Sequence, residues 1–297
     1  MNEYVLSCES TADLSIAHFK DIDVHYVCFS YIMDGETYKD DLGLSMPFDV
    51  FYKRVADGSD VKTSQVNTEE FVEFFEGFLK KGFDIIHVCL SSGITGVMNS
   101  ANAARDILQD KYKDRKIYIV DSLAASSGYG LLMDKASELK KQGVSIDELR
   151  AWIEDNKLRL NHWFFSSDLT HFIKGGRISK PAGAIGQFLG ICPLMNVNST
   201  GELRIISKIR GKNNVITEMV NKMAELADCG EDYDGKCYIS ESACMDDAKT
   251  VAGRIEERFK KLDGKVLINS IGTVIGCHTG PGTIALFFWG KKREDGR

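Results

Sequence analysis

The stretch Leu90-Ser91-Ser92-Gly93-Ile94-Thr95-Gly96-Val97-Met98-Asn99-Ser100-Ala101 joins two segments with different hydrophobic patterns. The apolar run 84–90 is typical of a buried strand, and the segment 98–108 is typical of a helix. A turn rich in glycine and hydroxyl residues therefore lies between the end of a strand and the start of a helix. Free backbone N–H groups and the helix dipole favour an anion at such a turn. The stretch predicts an α/β fold with an anion-binding turn.

The shape of this turn also fits a structural loop whose glycines only allow the strand and the helix to pack tightly. No Lys-Ser/Thr pair follows, so the turn is not a Walker A loop. It also lacks the G-x-G-x-x-G pattern of dinucleotide-binding folds and the G-x-S-x-G pattern of hydrolases. Local sequence leaves both interpretations open and does not specify the anion.

Strand and helix patterns alternate through the first half of the chain. The clearest helix signal is Asn67 with Glu70, which match an N-cap and its capping-box partner ahead of an apolar stripe. The alternation predicts an N-terminal α/β domain, residues 1–160, with a mainly parallel sheet and flanking helices. Later hairpin signals mix with helices, and they predict a C-terminal α/β domain, residues 161–297, with an antiparallel or mixed sheet.

Three local predictions concern single segments. The run 24–31 is typical of one continuous strand, and its apolar and aromatic residues support that interpretation. The small residues of 181–189 predict a short helix. The glycines of 277–282 predict a loop, and this loop would carry His278.

Composition excludes several classes of protein. The 297 residues carry a formal net charge of -6 and no long basic run, which disfavours nucleic-acid binding. No apolar segment approaches the roughly 20 residues that span a bilayer, and the first residues lack the zones of a signal peptide. The eight cysteines contain no C-x-x-C pair and match no common zinc spacing. We expect a cytoplasmic protein with free thiols and without a metal or a cofactor.

Three other segments carry groups that can bind an anion, and each has a structural alternative. Thr63-Ser64 supplies hydroxyl donors or simply leads into the next helix. Lys174-Gly175-Gly176-Arg177 forms an anion clamp, or a helix C-cap followed by a surface arginine. His278 is either a functional group or an ordinary packed or solvent-facing histidine. The spacing of residues in the sequence identifies no activated nucleophile beside His278.

Taken in order, these segments resemble the DegV family over nearly the whole chain. Residues 9–14, Glu-Ser-Thr-Ala-Asp-Leu, are similar to the family's D-S-T-x-D-L, with Glu9 in place of the first aspartate. Residues 91–101 resemble S-S-x-L-S-G-T-Y-x-S-A, with departures at Thr95, Val97 and Met98. Further matches are T-S-Q at 63–65, V-D-S and G-x-G within 120–130, K-G-G-R-I-S at 174–179, K-x-R-G at 208–211 and H-x-G-P-G at 278–282.

The resemblance implies two α/β domains that bury a long-chain fatty acid of about 16 to 18 carbons between and inside them. It assigns the binding of the carboxylate to four residues: Thr63, Thr95, Gly96 and His278. Four more are expected in the vicinity of the head group: Ser64, Ser92, Arg177 and Thr279. Candidates for the lining of the acyl chain are Ala184, Ile185, Phe188 and Leu189, and a plain core helix would have the same sequence pattern.

The resemblance also implies a protein partner. Such proteins serve as the lipid-carrying subunit of a bacterial fatty acid kinase, in which a separate ATP-binding protein phosphorylates the acid. The acyl phosphate then feeds phospholipid synthesis. Lys208, Arg210 and Lys212 resemble the region expected to dock that kinase. We therefore expect a lipid-binding protein that is not itself an enzyme. The alternative is a small-molecule hydrolase or transferase that uses the turn 91–101 with His278 as base.

Overall fold

The computed structural model describes residues 3–179 and 190–294, whose strands form three β-sheets. The first sheet contains β1 (Tyr4–Glu9), β2 (His25–Val27), β6 (Asp84–Cys89) and β7 (Ile117–Asp121). These strands are parallel and lie in the order β2-β1-β6-β7. All six residues of β6 are buried, as expected for a parallel strand that is covered on both faces. The predicted parallel sheet is thus confirmed.

The largest sheet is formed by strands from the second half of the chain. Its six strands are β8 (Leu160–Ser166), β9 (Ile191–Val197), β10 (Leu203–Arg210), β11 (Tyr238–Glu241), β12 (Leu267–Ser270) and β13 (Thr283–Trp289). They lie in the order β10-β9-β8-β13-β11-β12, and only β11 and β12 pair in parallel. The predicted mixed sheet is confirmed, and β9 with β10 forms the predicted hairpin.

A small antiparallel sheet that the sequence did not predict lies between β2 and β6 in the chain. It contains β3 (Ser30–Met33), β4 (Glu36–Lys39) and β5 (Val61–Ser64), in the order β4-β3-β5. The prediction of one strand over 24–31 is wrong, because β2 and β3 belong to different sheets. Between them, Phe29 N donates to Ser10 Oγ and Phe29 O accepts from Asp40 N, so both backbone groups are used outside a ladder.

Ten α-helices occur in the described residues. They are α1 (Ile16–Asp21), α2 (Phe48–Ala56), α3 (Thr68–Leu79), α4 (Val97–Lys111), α5 (Ser126–Lys141), α6 (Ile146–Asn156), α7 (Thr170–Lys174), α8 (Lys212–Leu226), α9 (Met245–Arg258) and α10 (Thr273–Thr279). Asn67 and Glu70 form the predicted capping box at the start of α3, with both reciprocal bonds at 2.9 Å. None of these helices is long and apolar enough to cross a membrane.

The segment that carries His278 is helical, so the prediction of a loop over 277–282 is wrong for its first three residues. Helix α10 continues to Thr279, and Gly280 N closes its last turn by donating to Gly276 O. Gly276 is needed inside this helix because a Cβ there would lie 2.6 Å from the Tyr52 hydroxyl. Gly276, just before the predicted loop, therefore serves close helix packing.

The hydrophobic core is continuous between the two large sheets. One cluster of buried side chains contains Leu6 and Val88 from the parallel sheet together with Phe164 and Phe287 from the mixed sheet. Every strand of the first two sheets ends by residue 121, and every strand of the mixed sheet begins at residue 160 or later. The exact boundary at residue 160 stays a prediction. The predicted helix 181–189 lies outside the described residues.

Candidate functional site

A cavity of about 410 Å³ lies between the parallel sheet's edge, helix α10 and the inner face of the mixed sheet. Its wall is mainly apolar. The apolar residues that line it are Phe29, Leu90, Ile94, Ala125, Phe164, Phe172, Val197, Leu203, Ile271, Val274, Ile275, Ala285 and Phe287. A cavity of this size and character is typical of a site for a small apolar ligand.

Strand register explains one wall of the cavity. On β8 and β13, Phe164 lies opposite Ala285 and His162 lies opposite Phe287. These positions alternate along each strand, so their side chains share the inner face. All four line the cavity. The residues between them, Trp163 and Leu286, belong to a second hydrophobic cluster on the other face of the sheet.

The solvent-facing part of the cavity is polar. Gln65 and Gly96 are exposed, and Thr63, Thr95 and His278 are half-buried, whereas the phenylalanines of the wall are buried. The cavity therefore has an apolar interior and a polar mouth. This arrangement suits a ligand with a long apolar part and a polar end.

Two predicted site residues make direct contact at the mouth. Thr63 Oγ1 on β5 lies 2.9 Å from His278 Nε2 at the end of α10. Burial, followed by the positive charge of Arg177, lowers the pKa of His278 to about 4. His278 is therefore neutral at pH 7 and presents hydrogen-bonding groups without a full charge.

The turn before α4 forms another part of the mouth. Ile94 N and Thr95 N both donate to Ser91 O, which folds the turn back on itself. Thr95 Oγ1 accepts from Val97 N at 3.3 Å, and Gly96 directly precedes the helix. Backbone N–H groups at this end of a helix lack intrahelical acceptors, so they can donate to an anion.

Arg177 connects the turn to helix α7. Its guanidinium donates from Nη1 to Gly175 O at 2.6 Å and from Nη2 to Ile94 O at 2.9 Å. Burial lowers its pKa, but the group stays a cation at neutral pH. Gly175 lies against the ring of His278, where a Cβ would come within 2.3 Å of Nδ1. The glycines end a helix, as one interpretation predicted, but Arg177 is half-buried against the turn and is not a surface residue. The anion clamp stays a prediction.

The remaining predicted site residues lie in different places. Thr279 is buried and lines the cavity. Ser64 and Ser92 are exposed, and neither is among the described residues of the cavity wall. Lys208 and Arg210 are exposed on β10, and Lys212 begins α8, where it pairs with Asp247 at 2.6 Å. The predicted acyl-chain residues Ala184, Ile185, Phe188 and Leu189 lie outside the described residues.

Sequence reasoning missed two features of this region. Gln65 lines the mouth, and its Oε1 lies 3.5 Å from Thr95 Oγ1; its place after Thr63-Ser64 was the available signal. Potential metal ligands of Glu9, His87 and Cys89 lie within 4.8 Å of one another beneath the turn. In the structure, however, Glu9 Oε1 lies at hydrogen-bond distance, 3.2 Å, from His87 Nε2, and Glu9 Oε2 accepts from Leu90 N.

Fold and site together define an α/β protein that encloses an apolar cavity. The mouth of this cavity is polar and contains a neutral histidine. A family model described as "Uncharacterised protein, DegV family" matches residues 6–291, and the chain belongs to the DegV family. A DegV domain-containing protein of Clostridium perfringens is 39% identical over 295 residues, which cover 99% of this chain and 100% of that protein.

Solved structures share the whole fold. A stearic acid-binding protein of Eubacterium ventriosum is 25% identical, has a TM-score of 0.86 and covers 96% of this chain and 97% of that one. The fatty acid kinase B3 protein of Streptococcus pneumoniae, loaded with linoleic acid, is 20% identical, with a TM-score of 0.84, and covers 97% of this chain and 100% of that one. Both neighbours are fatty-acid-binding proteins by their own descriptions.

Proposed function

We propose that this protein binds a long-chain fatty acid, with its acyl chain in the cavity and its carboxylate at the polar mouth. The observation that carries the proposal is a single cavity whose interior is apolar and whose mouth holds Thr63, Thr95, Gly96 and His278. Arg177 and Thr279 complete the surroundings of the head group. Fatty-acid binding by related proteins of the same fold supports this assignment.

The physical chemistry of the cavity suits this ligand. Burial contributes ~0.8 kcal/mol per methylene, so about 15 methylenes provide roughly 12 kcal/mol before the costs of ordering are subtracted. Losses of translational and conformational freedom remove a large part of that gain. A buried carboxylate needs hydrogen-bond donors, and the mouth offers hydroxyls and a backbone N–H. The half-buried mouth also leaves the carboxylate within reach of another protein.

We further propose that the protein works in the cytoplasm, performs no chemistry itself and presents the fatty acid to a separate kinase. A hydrolase with His278 as base would need a group that orients the imidazole from its second nitrogen. Nδ1 of His278 is buried, and no hydrogen-bond partner for it occurs in residues 3–179 and 190–294. Exposed Lys208 and Arg210 on β10, with Lys212, supply a basic surface for the kinase.

Native mass spectrometry of the protein as purified tests lipid binding directly. We expect a bound species with the mass of a fatty acid of about 16 to 18 carbons. Delipidated protein should regain that species when the acid is added. Protein that takes up no fatty acid, and instead turns over an ester at a rate that depends on His278, would contradict the proposal and support the hydrolase.

A further inference from the structure

The segment 9–13, Glu-Ser-Thr-Ala-Asp, lies behind the cavity and not in its wall. All five residues are buried, yet none is among the described residues that line the cavity. Its polar side chains connect to three different elements that do form the wall, two of them directly and the third through Asp40. The segment can therefore influence the shape of the site although it does not line the cavity.

The first connection leads to the turn. Glu9 Oε2 accepts from Leu90 N at 2.9 Å and from the Tyr129 hydroxyl at 2.6 Å. Glu9 Oε1 lies 3.2 Å from His87 Nε2, and Ser7 Oγ lies 2.9 Å from His87 Nδ1. Leu90 lines the cavity and directly precedes the turn that carries Thr95 and Gly96. Glu9 thus fixes the backbone from which that turn begins.

The second connection leads to helix α10. Ser10 Oγ donates to Asp40 Oδ2 at 2.8 Å. Asp40 Oδ1 in turn accepts from Thr273 N at 3.1 Å and from Thr273 Oγ1 at 2.7 Å. Thr273 is the first residue of α10, and His278 lies near the other end of the same short helix. Ser10 therefore reaches the start of the helix that carries His278 through one buried carboxylate.

The third connection joins α5 to the same place. Asp13 accepts a hydrogen bond from Ser126 Oγ, and Ser126 lines the cavity. Asp13 also lies against Gly272, where a Cβ would come within 2.5 Å of Asp13 Oδ1. Gly272 directly precedes α10. The beginnings of α5 and α10 are thus held against one aspartate.

We propose that the segment 9–13 is a positioning element for recognition of the head group. This inference rests on the proposed function. Thr95 and Gly96 follow the parallel sheet, whereas His278 belongs to a helix that follows β12 of the mixed sheet. Buried hydrogen bonds from one short segment to both elements set the distance between the two halves of the mouth, so that they close on a single carboxylate.

The variant Ser10→Ala tests the inference because it removes the bond to Asp40. It also removes the acceptor of Phe29 N, and since Phe29 belongs to the apolar wall, a disturbance there would lower the affinities for acid and alcohol alike. Affinities for hexadecanoic acid and hexadecan-1-ol should be measured by titration calorimetry, since the two ligands share a chain and differ in the head group. We expect the affinity for the acid to fall about tenfold and the affinity for the alcohol to stay within about twofold. A merely structural residue would lower both affinities together.

The matched control is Ser137→Ala, which removes another fully buried hydroxyl, one that donates to Ile22 O far along α5 from the cavity. This variant should keep the wild-type ratio of acid to alcohol affinity. Asp40→Asn is a second test, because its Oδ1 can still accept from Thr273, while its NH₂ group can donate to Ser10 Oγ but can no longer accept from it. We expect it to lower the ratio as well.

Two results would overturn the inference while leaving fatty-acid binding intact: equal losses for acid and alcohol in Ser10→Ala, or an unchanged ratio in both Ser10→Ala and Asp40→Asn. The same selective loss in Ser137→Ala would also overturn it. Wild-type protein that binds neither ligand would instead overturn the proposed function, and the inference with it.

Discussion

Thr63 and His278 are 215 positions apart in the chain, yet their side chains meet at 2.9 Å. In the local sequence of each residue, an ordinary structural explanation is sufficient. Their meeting depends on the packing of α10 beside β5, which no local pattern encodes. In the folded protein, burial keeps His278 neutral, and the pair offers polar atoms at the edge of an apolar space.

The contribution of one hydroxyl can be measured with Thr95→Val, which keeps the shape of the side chain and removes Oγ1. We expect the affinity for a long-chain fatty acid to fall about tenfold, because one hydrogen bond to a charged group is lost. Titration calorimetry measures the affinity, and circular dichroism checks that the fold is retained. Ser92→Ala is the matched control, since Ser92 lies on the same turn but is exposed and outside the cavity wall.

Unchanged affinity in Thr95→Val would contradict the assignment of this hydroxyl to the head group. An equal loss in Ser92→Ala would show that the turn as a whole was disturbed. Thr95→Ser keeps the oxygen and should keep most of the affinity, which separates the hydroxyl from the methyl group.

Several residues that line the mouth were named from the sequence, but only because several segments, taken in order, resemble one family. Thr63, Arg177 and His278 each left two local interpretations open, and the family resemblance suggested one shared place for them. Gln65 was missed, although it directly follows Thr63-Ser64, because a glutamine in that place has the same local sequence whether it lines a mouth or faces solvent. The bonds of Glu9 to His87 and Leu90 were missed because they join strands far apart in the chain.

Among the helices and strands, those whose local sequence contains the whole structural signal were predicted best. The capping box of α3 depends on two side chains three positions apart, so local sequence contains all of it. The end of helix α10 was taken for a loop because Gly280 and Gly282 follow it closely and glycine is a poor helix former. Its packing against Tyr52 requires Gly276, and that requirement is visible only in the folded protein.

Strand β10 offers a test of the proposed kinase surface. Arg204, Ile206, Lys208 and Arg210 alternate on its exposed face, and the strand forms an edge of the mixed sheet. In Arg210→Ala we expect phosphorylation of the bound fatty acid by a partner kinase to fall about tenfold, because one charged contact in the complex is lost. Fatty-acid binding should stay unchanged, since Arg210 is outside the cavity wall.

The control for this experiment is Arg105→Ala, a half-buried arginine on α4 that pairs with the neighbouring Asp106. It should leave both phosphorylation and lipid binding at the wild-type level. Parallel losses of lipid binding and phosphorylation in Arg210→Ala would contradict a docking role. A partner kinase that phosphorylates the acid equally well with Arg210→Ala would contradict it too.

On the scale of the molecule, alternating strands and helices predicted the parallel sheet, and hairpin signals predicted the mixed one. The small sheet of β3, β4 and β5 was not predicted because its strands have only four residues each. Short strands carry little periodic signal. Hydrophobic periodicity also could not predict the cavity, because apolar residues that line a cavity follow the same sequence pattern as apolar residues that fill a core.

Because the core runs without a break between the two large sheets, ligand binding should stabilise the protein as one unit. At a free fatty-acid concentration of about 100 times Kd, linkage gives about 2.7 kcal/mol. Differential scanning calorimetry should therefore show a single transition that moves upward by several degrees, more than with hexadecan-1-ol. Two transitions, of which the ligand moves only one, would contradict a shared core.

The walls of the cavity come from widely separated parts of the chain, from Phe29 to Phe287. During synthesis on the ribosome, the parallel sheet leaves the exit tunnel long before α10 and β13 do. The acyl chain then has no enclosed space to enter, because the inner face of the mixed sheet is still incomplete. Lipid loading must therefore follow translation of at least residue 287, and a fatty acid cannot act as a scaffold for the earlier stages of folding.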